Sequence, residues 1–302
     1  VKSLIAFIGI LKFIARHPLN SDHRVSAIFG FIKWQLAIRS IKKRVIIPWV
    51  DDAFFISGLG ETGLTGNIYA GLMEYEDMAF LLHALRPSEI FVDVGANVGA
   101  YTILASKVVK SASVAFEPLP NTAQRLRDQV QINDIATCVD IRKIGIGNKQ
   151  EILSFTNNQD TTNKVSLEVG CDNTTLVSVS TLDIELIDAN QYFIKIDVEG
   201  FEHNVIEGGS NILSSGNVSA LIIELNGSGD SFGYSNQDVH QKLLGLGFFP
   251  ISYQPKCRTI TRLTGFNQNG GNTIYIQDFL EISERCKAAP KRVIHTARDY
   301  SL

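Results

Sequence analysis

The sequence predicts an α/β fold, a mostly parallel sheet covered by helices on both faces. Two observations carry that expectation. Residues 91–99, Phe-Val-Asp-Val-Gly-Ala-Asn-Val-Gly, run an apolar strand through a glycine-bearing turn straight into a helical pattern. A second apolar stretch, Val114-Ala115-Phe116-Glu117-Pro118, ends on an acid roughly twenty residues later, the layout of a nucleoside-binding βαβ unit. Strands and helices then alternate along most of the remaining chain, as parallel strands joined by crossover helices require.

The elements follow in order. Leu4 to Leu11 is an uninterrupted apolar run too short to span a bilayer. It resembles a signal-peptide core, yet no small-x-small cleavage site follows Arg16. Ala27, Phe31, Trp34, Ile38 and Ile41 recur at four- and three-residue steps and define a helical stripe, with Lys33, Arg39, Lys42, Lys43 and Arg44 around it. Two readings stay open for residues 1–44: a helical cap packed on the main domain, or a basic amphipathic element in peripheral contact with an anionic membrane. Gly58, Gly60, Gly63, Gly66 and Gly71 predict loops and short strands, leading into a helix over 74–86 that Pro87 ends. Next come strand 90–95, helix 98–109, strand 113–117, helix 121–132 and strand 139–144. Residues 150–180 are polar, with β-like runs at 152–155 and 175–180. Strand 192–198, helix 202–214, strand 219–225, helix 236–246 and strands 248–253 and 272–277 complete the pattern. No helix separates the last two strands, so they are expected as an antiparallel pair at one edge. Residues after Glu281 are basic and weakly patterned.

Composition narrows the function. With 302 residues, 45% hydrophobic and 20% charged, the chain can build one large α/β domain plus an extension. The net charge of −3 is unevenly spread. Residues 1–50 hold nine Lys or Arg against a single acid, Asp22, so the remaining body is strongly acidic and ill suited to nucleic acid. Cys138, Cys171, Cys257 and Cys286 are far apart, so no zinc pattern or redox pair is visible, and cysteines this sparse suggest a reducing compartment. The location expected is cytoplasmic, with the inner membrane face as a possible peripheral station. Asn173, Asn217 and Asn226 fall in Asn-x-Ser/Thr triplets, read as chance matches without a secretory signal.

The turn chemistry points to the ligand. Gly95 and Gly99 carry no Cβ, so the backbone can bend sharply and approach a ligand. Glu117 stands where a carboxylate can accept hydrogen bonds from both hydroxyls of a ribose. A pyrophosphate-binding turn has a glycine where this chain has Asn97, and Asp93 at the strand end would repel a pyrophosphate. The same carboxylate suits a cation. S-adenosyl-L-methionine, with a ribose, an ammonium and a sulfonium, is therefore favoured over NAD.

A second constellation is Phe193-Ile194-Lys195-Ile196-Asp197-Val198-Glu199-Gly200-Phe201-Glu202. Ligands of doubly wound sheets sit outside the carboxyl ends of the strands. Asp93, Glu117, Asp197 and Glu224 all lie at or near such ends, and mutual repulsion should raise some of their pKa values. A raised carboxylate can take the proton of a hydroxyl acceptor. Asp197 is the preferred base, with Glu199 and Glu224 as the other candidates. Lys195 shares a strand face with Asp197 and could pair with an acid. Glu202 reads as an N-terminal helix stabiliser, and His203 and His240 as surface or packing residues. Oxygen ligands from Asp197, Glu199 and Glu224 would suit magnesium or calcium, but spacing alone assigns no metal.

These residues carry a resemblance to the FkbM family of S-adenosylmethionine-dependent methyltransferases. It rests on residues 91–102, on Phe116-Glu117-Pro118, on Thr181-Leu182-Asp183 and on the Lys195-Ile196-Asp197-Val198-Glu199-Gly200 run. Ile222-Ile223-Glu224-Leu225-Asn226 and residues 272–276 extend it, so that it covers roughly 65–277. The resemblance implies a Rossmann-like class I methyltransferase sheet of seven strands and O-methylation of a saccharide, glycolipid or secondary-metabolite hydroxyl. It implies a donor site of Asp93, Gly95, Asn97, Gly99 and Glu117, with Tyr101, Thr102, Pro118 and Asp197 beside them. Glu74 matches an acid that often precedes the first strand in similar proteins. On this reading residues 1–50 are a helical extension, 51–87 a lead-in, 88–280 the methyltransferase domain and 281–302 a tail. A nicotinamide-dependent oxidoreductase and a non-catalytic nucleoside-binding scaffold are the competing functions. Asn97 and Asp93 disfavour the first, and an intact Asp197-x-Glu199 argues against the second.

Overall fold

The computed structural model describes residues 2–302 apart from 62–63, 157–163, 167–172, 188–189, 270 and 297–298, with the backbone alone for 2–6. Cys171 and Gly63 lie outside the described residues. The chain opens on a helical hairpin, α1 (Lys2–Arg16) and α2 (Arg24–Ile41). Pro18 starts the tight turn between them, and Lys42 ends α2 in a left-handed conformation. Ala27, Phe31 and Ile38 of the expected stripe are buried, Trp34 is half-buried and Ile41 is exposed at the helix end. Phe31 meets Tyr69 edge-on at 4.8 Å, and Asn20 Nδ2 donates to the carbonyls of Ile14 and Tyr69 at 3.0 Å each.

The lead-in forms a β-hairpin, β1 (Val45–Pro48) and β2 (Phe54–Ser57), then α3 (Thr65–Ala70) and the buried α4 (Tyr75–Ala84). The amide side chains of Gln129 and Asn133 donate to and accept from the β2 backbone at Ile56 and Phe54. They stand in for a neighbouring strand and close an edge that would otherwise offer open hydrogen-bonding groups.

The main domain runs β3 (Ile90–Val94), α5 (Ala100–Ile103), β4 (Ala112–Phe116), α6 (Pro120–Ile132) and β5 (Val139–Arg142). A small second sheet follows, from β6 (Gly145–Ile146), β7 (Glu151–Thr156), β8 (Val165–Ser166) and β9 (Thr174–Ser180). Then come α7 (Leu182–Glu185), β10 (Tyr192–Ile196), α8 (Glu202–Gly208), α9 (Ser210–Ser214), β11 (Val218–Glu224) and α10 (Asn236–Gly245). The chain ends with β12 (Phe249–Gln254), β13 (Thr259–Arg262), β14 (Asn272–Ile276), α11 (Phe279–Ala288), β15 (Val293–Ile294) and β16 (Tyr300–Ser301).

The main sheet has the order β13-β12-β14-β11-β10-β3-β4-β5. From β11 to β5 all neighbours are parallel. It holds eight strands, one more than expected. The addition is β13, a four-residue strand too short to show a pattern, folded back onto β12. The antiparallel pairing of β12 and β14 is as the sequence suggests, but its place differs. β14 lies inside the sheet between β12 and β11, and the edge strand is β13. Side chains alternate between two cores. Phe91, Phe193 and Ile222 pack toward α4, whereas Val92, Ile194 and Ile223 pack on the other face.

Other departures are local. The helix expected over 98–109 is α-helical only to Ile103 and then widens into a π-helical stretch, Leu104–Val109. Helix 202–214 breaks at Gly209 into α8 and α9. Strand 139–144 stops at Arg142. The described residues of the tail are structured: α11 continues to Ala288, Arg285 reaches the buried Glu89 at 2.7 Å, and Arg292 reaches Asp51 at 3.1 Å. No helix among the described residues is long and apolar enough to cross a membrane.

Candidate active site

Strand order reverses at β3, which has β4 on one side and β10 on the other. A cavity of about 360 Å³ opens at the carboxyl ends of these strands, where a switch point is expected to bind ligand. Glu74, Asp93, Gly95, Asn97, Tyr101, Glu117, Pro118, Asp197, Glu199 and Glu224 all line it, so the structure gathers nearly every residue singled out above. Gly99 and Thr102 lie behind the wall. Gly99 adopts φ +87° at the start of α5, and Thr102 is buried with its hydroxyl donating to Asp93 Oδ2 at 2.6 Å.

The turn after β3 explains its glycines. Gly95 has φ +82°, and a Cβ there would lie 1.9 Å from the Asp197 carbonyl oxygen. The β3 and β10 exits are thus in backbone contact. Asn97 sits at φ +50°, and its N–H donates to Glu117 Oε2 at 3.0 Å while the Leu119 N–H donates to Oε1 at 2.9 Å. Each Glu117 oxygen keeps a second lone pair. Burial pushes this carboxyl up to about 7, against the pull of those two N–H groups. Asp93 is likewise pushed up to about 6 by burial, opposed by the Lys195 charge.

Lys195 is the sole basic residue lining the cavity among the described residues, and it is 3% exposed. Its Nζ lies 2.6 Å from Asp197 Oδ2 and 4.8 Å from the centre of the Tyr101 ring. Burial alone would lower the ammonium, but Asp197, Glu74 and Asp93 outweigh it and hold the charge above its ordinary range. Tyr101 in turn donates to Glu74 Oε2 at 2.6 Å. Lys195, Tyr101, Glu74 and Asp197 therefore form one wall.

Asp197 also belongs to a cluster with the remaining acids. Asp197, Glu199 and Glu224 each place a carboxylate oxygen within 4.8 Å of the other two. Glu224 is pushed up to about 9 by burial and by repulsion from Asp197 and Glu199. Glu199, at φ +54°, is raised by burial and Asp197. Two buried acceptors in the cavity wall, Asn97 Oδ1 and Glu224 Oε2, have no hydrogen-bond partner among the described residues. Glu202 is used structurally, as expected: its Oε1 accepts from the Val198 and Gly200 N–H groups. His203 stacks on Tyr234 and His240 meets the Tyr275 hydroxyl, both away from the cavity.

Sequence reading missed the apolar walls, Phe116, Ile146, Phe155 and Phe201, and, outside this cavity, it missed Asp77. Asp77 is pushed up to about 7 by burial and by Glu74, and accepts from Asn272 Nδ2 at 3.2 Å. Asn272 is paired in register with Glu224 across β14 and β11. Asp77 and Asn272 line a second cavity of about 550 Å³, together with Glu76, Phe266, Asn267 and Gln268. The amide run Asn267-Gln268-Asn269 was the signal available for it.

A doubly wound sheet with an antiparallel strand inserted next to its last parallel strand, and a cleft at its switch point, is a class I methyltransferase fold. Residues 93–250 match the methyltransferase FkbM domain, and the chain belongs to that family, whose methyl donor is S-adenosylmethionine. Hexuronic acid methyltransferase AglP of Haloferax volcanii is 30% identical over 166 residues, covering 52% of this chain and 64% of the relative. The match thus spans less than two thirds of that relative's length. Among solved structures, TYW2 of M. jannaschii in complex with AdoMet is 14% identical, with a TM-score of 0.41 over 78% of this chain and 84% of that one. SMU.1697c of Streptococcus mutans in complex with SAH is 14% identical, with a TM-score of 0.39 over 66% and 94%.

Proposed function

We propose that the protein is an O-methyltransferase that methylates a hydroxyl of a saccharide-like acceptor, using S-adenosylmethionine and Glu224 as the proton acceptor. The observation that carries the reading is the pairing state of the two leading acids. Asp197 Oδ2 is engaged by the Lys195 ammonium at 2.6 Å, whereas Glu224 Oε2 is buried, unpartnered and turned to the cavity. The preference for Asp197 as base therefore passes to Glu224, and Asp197 becomes the group that fixes Lys195.

The residues present fit the donor. Glu117 retains one lone pair on each oxygen for the ribose hydroxyls, and Asn97 Oδ1 is an open acceptor beside it. Glu74 and Asp93 supply negative charge for the ammonium, and Phe116 and Leu119 supply apolar wall for the base. Bound donor supplies an electrophilic sulfonium methyl group. The protein's own part is positioning, exclusion of water and receipt of the hydroxyl proton at Glu224.

The acceptor class is supported by the second cavity and by the relative named for a hexuronic acid. Asn267, Gln268, Asn272, Glu76 and Asp77 combine donors and acceptors suited to vicinal hydroxyls, and Phe266 offers an aromatic face. No Lys or Arg among the described residues lines that cavity. A carboxylate on the sugar would meet Glu76 and Asp77 without compensation, so a neutral sugar is the preferred acceptor.

Glu224→Gln keeps the shape and removes the base. Turnover should fall by about 10²–10⁴-fold, and donor affinity should fall far less. Wild-type turnover should rise with pH as Glu224 loses its proton, with the bound donor's charge placing the midpoint below the free-protein value of about 9. Near-normal turnover in Glu224→Gln at saturating donor would remove Glu224 from the mechanism. Inactivation by EDTA, reversed by magnesium, would assign the three carboxylates to a cation instead.

A further inference from the structure

The helical hairpin carries two apolar stripes and buries only one. Ala27, Phe31 and Ile38 are turned inward. On the opposite side of α2, at four-, three- and four-residue steps, stand Val25, Phe29, Ile32 and Leu36, which are 80, 71, 42 and 67% exposed. The neighbouring α1 adds exposed Phe7, Ile8, Ile10 and Phe13. Isolated surface hydrophobics are ordinary, but a full stripe along an 18-residue helix is a contact surface.

Its borders say what kind of contact. Lys12, Arg16, Arg24, Lys33, Lys42 and Lys43 are exposed and form no ion pair among the described residues. Arg44, by contrast, is already committed to Glu61 and Asp128. On the α2 helical wheel, Lys33 and Arg39 flank the stripe on either side, as headgroup-binding bases flank an in-plane helix. Pairing the face with the same face of a second copy would bring base against base. An anionic lipid surface satisfies both features at once.

We propose that the hairpin seats the protein on an anionic membrane, with Val25, Phe29, Ile32 and Leu36 inserted at the headgroup boundary and the bordering bases on lipid phosphates. The inward stripe then serves as the cap and the outward one as the anchor, so the two readings of this segment describe two sides of one hairpin. α2 is joined through Phe31 and Tyr69 to α3, whose exit brings Met73 and Glu74 into the active-site wall. The inference is independent of the methyl-transfer reading.

The test is co-sedimentation of the full chain with phosphatidylcholine vesicles, with and without about one third phosphatidylglycerol. Binding to the anionic vesicles should exceed binding to the neutral ones by about tenfold or more and weaken with salt. Phe29→Ser/Leu36→Ser and Lys33→Glu/Lys42→Glu should each reduce it about tenfold, with unchanged thermal melting because these side chains are exposed. Absent or lipid-independent sedimentation of the wild type overturns the proposal, as does undiminished binding by folded variants. Self-association that Phe29→Ser/Leu36→Ser abolishes, without vesicle binding, assigns the face to a second copy. Should either variant fail to fold, the lipid and salt dependence of the wild type still decides.

Discussion

Replacing Lys195 with Met probes the charge balance of the whole cleft. Lys195 is 3% exposed, sits 2.6 Å from Asp197 and covers the Tyr101 ring at 4.8 Å. Met fills a similar volume and keeps contact with the ring, so the change is chiefly the loss of one buried positive charge. Glu74, Asp93 and Asp197 then face one another with nothing to offset them, since no other base among the described residues lines the cavity. Removing one partner of a buried pair costs about 3–5 kcal/mol. Against a usual stability of about 5–15 kcal/mol, that is a large fraction.

The penalty has a definite pH dependence. Asp93 is already pushed up to about 6 by burial against the Lys195 charge, so without Lys195 its folded pKa lies further above the unfolded value of about 4. The folded state then binds more protons than the unfolded state between those limits, and its stability falls as pH rises through that window. Urea unfolding of Lys195→Met and wild type should show the full gap at pH 8 and a smaller one near pH 5.5. A gap below about 1 kcal/mol at pH 8, or one independent of pH, would refute the assignment of Lys195 as the charge that holds this wall together.

Two further substitutions test the donor side. Glu117→Ala should weaken donor binding by about 1.5–3 kcal/mol in calorimetry, the scale of hydrogen bonds to a charged group, and unchanged affinity would remove Glu117 from the donor site. Gly95→Ala places a Cβ 1.9 Å from the Asp197 carbonyl at a left-handed φ of +82°. It should lower stability by about 3 kcal/mol or more, and an unaltered thermal melt would mean the β3 and β10 exits are free to separate.

What the sequence disclosed depended on range. The turn after β3 was legible because glycine, asparagine and an acid at fixed spacing are local requirements of one βαβ unit. The parallel strands were legible because burial on both faces leaves unbroken apolar runs such as Ala220 to Ile223. Short or context-bound features were not. β13 has four residues, and the tail owes its order to distant partners, Glu89 for Arg285 and Asp51 for Arg292. The choice between Asp197 and Glu224 was equally hidden. Both are acids at strand ends, and only packing reveals that Lys195 occupies one and leaves the other bare. Asp77 escaped notice because it sits within a helix, where nothing in the sequence marks it as facing Asn272 from β14.

The acid excess of the cleft links donor binding to the state of the base. S-adenosylmethionine carries a sulfonium and an ammonium against one carboxylate, and its product after methyl loss has no sulfonium. A wall bearing Glu74, Asp93, Asp197, Glu199 and Glu224 against one lysine therefore favours the donor over the product on charge alone. The arriving cation also lowers the free energy of ionised Glu224, which in the free protein is pushed up to about 9 and is mostly protonated at pH 8. Donor binding at that pH should release protons, and product binding should release fewer. Calorimetric titrations in buffers of different ionisation enthalpy count those protons directly. The expected pattern is a buffer-dependent donor heat at pH 8 that is lost in Glu224→Gln, with a smaller dependence for the demethylated product. Buffer-independent heats for both ligands in the wild type would show that the donor's charge does not reach Glu224, and the proposed base would then lack the means of becoming ionised when it is needed.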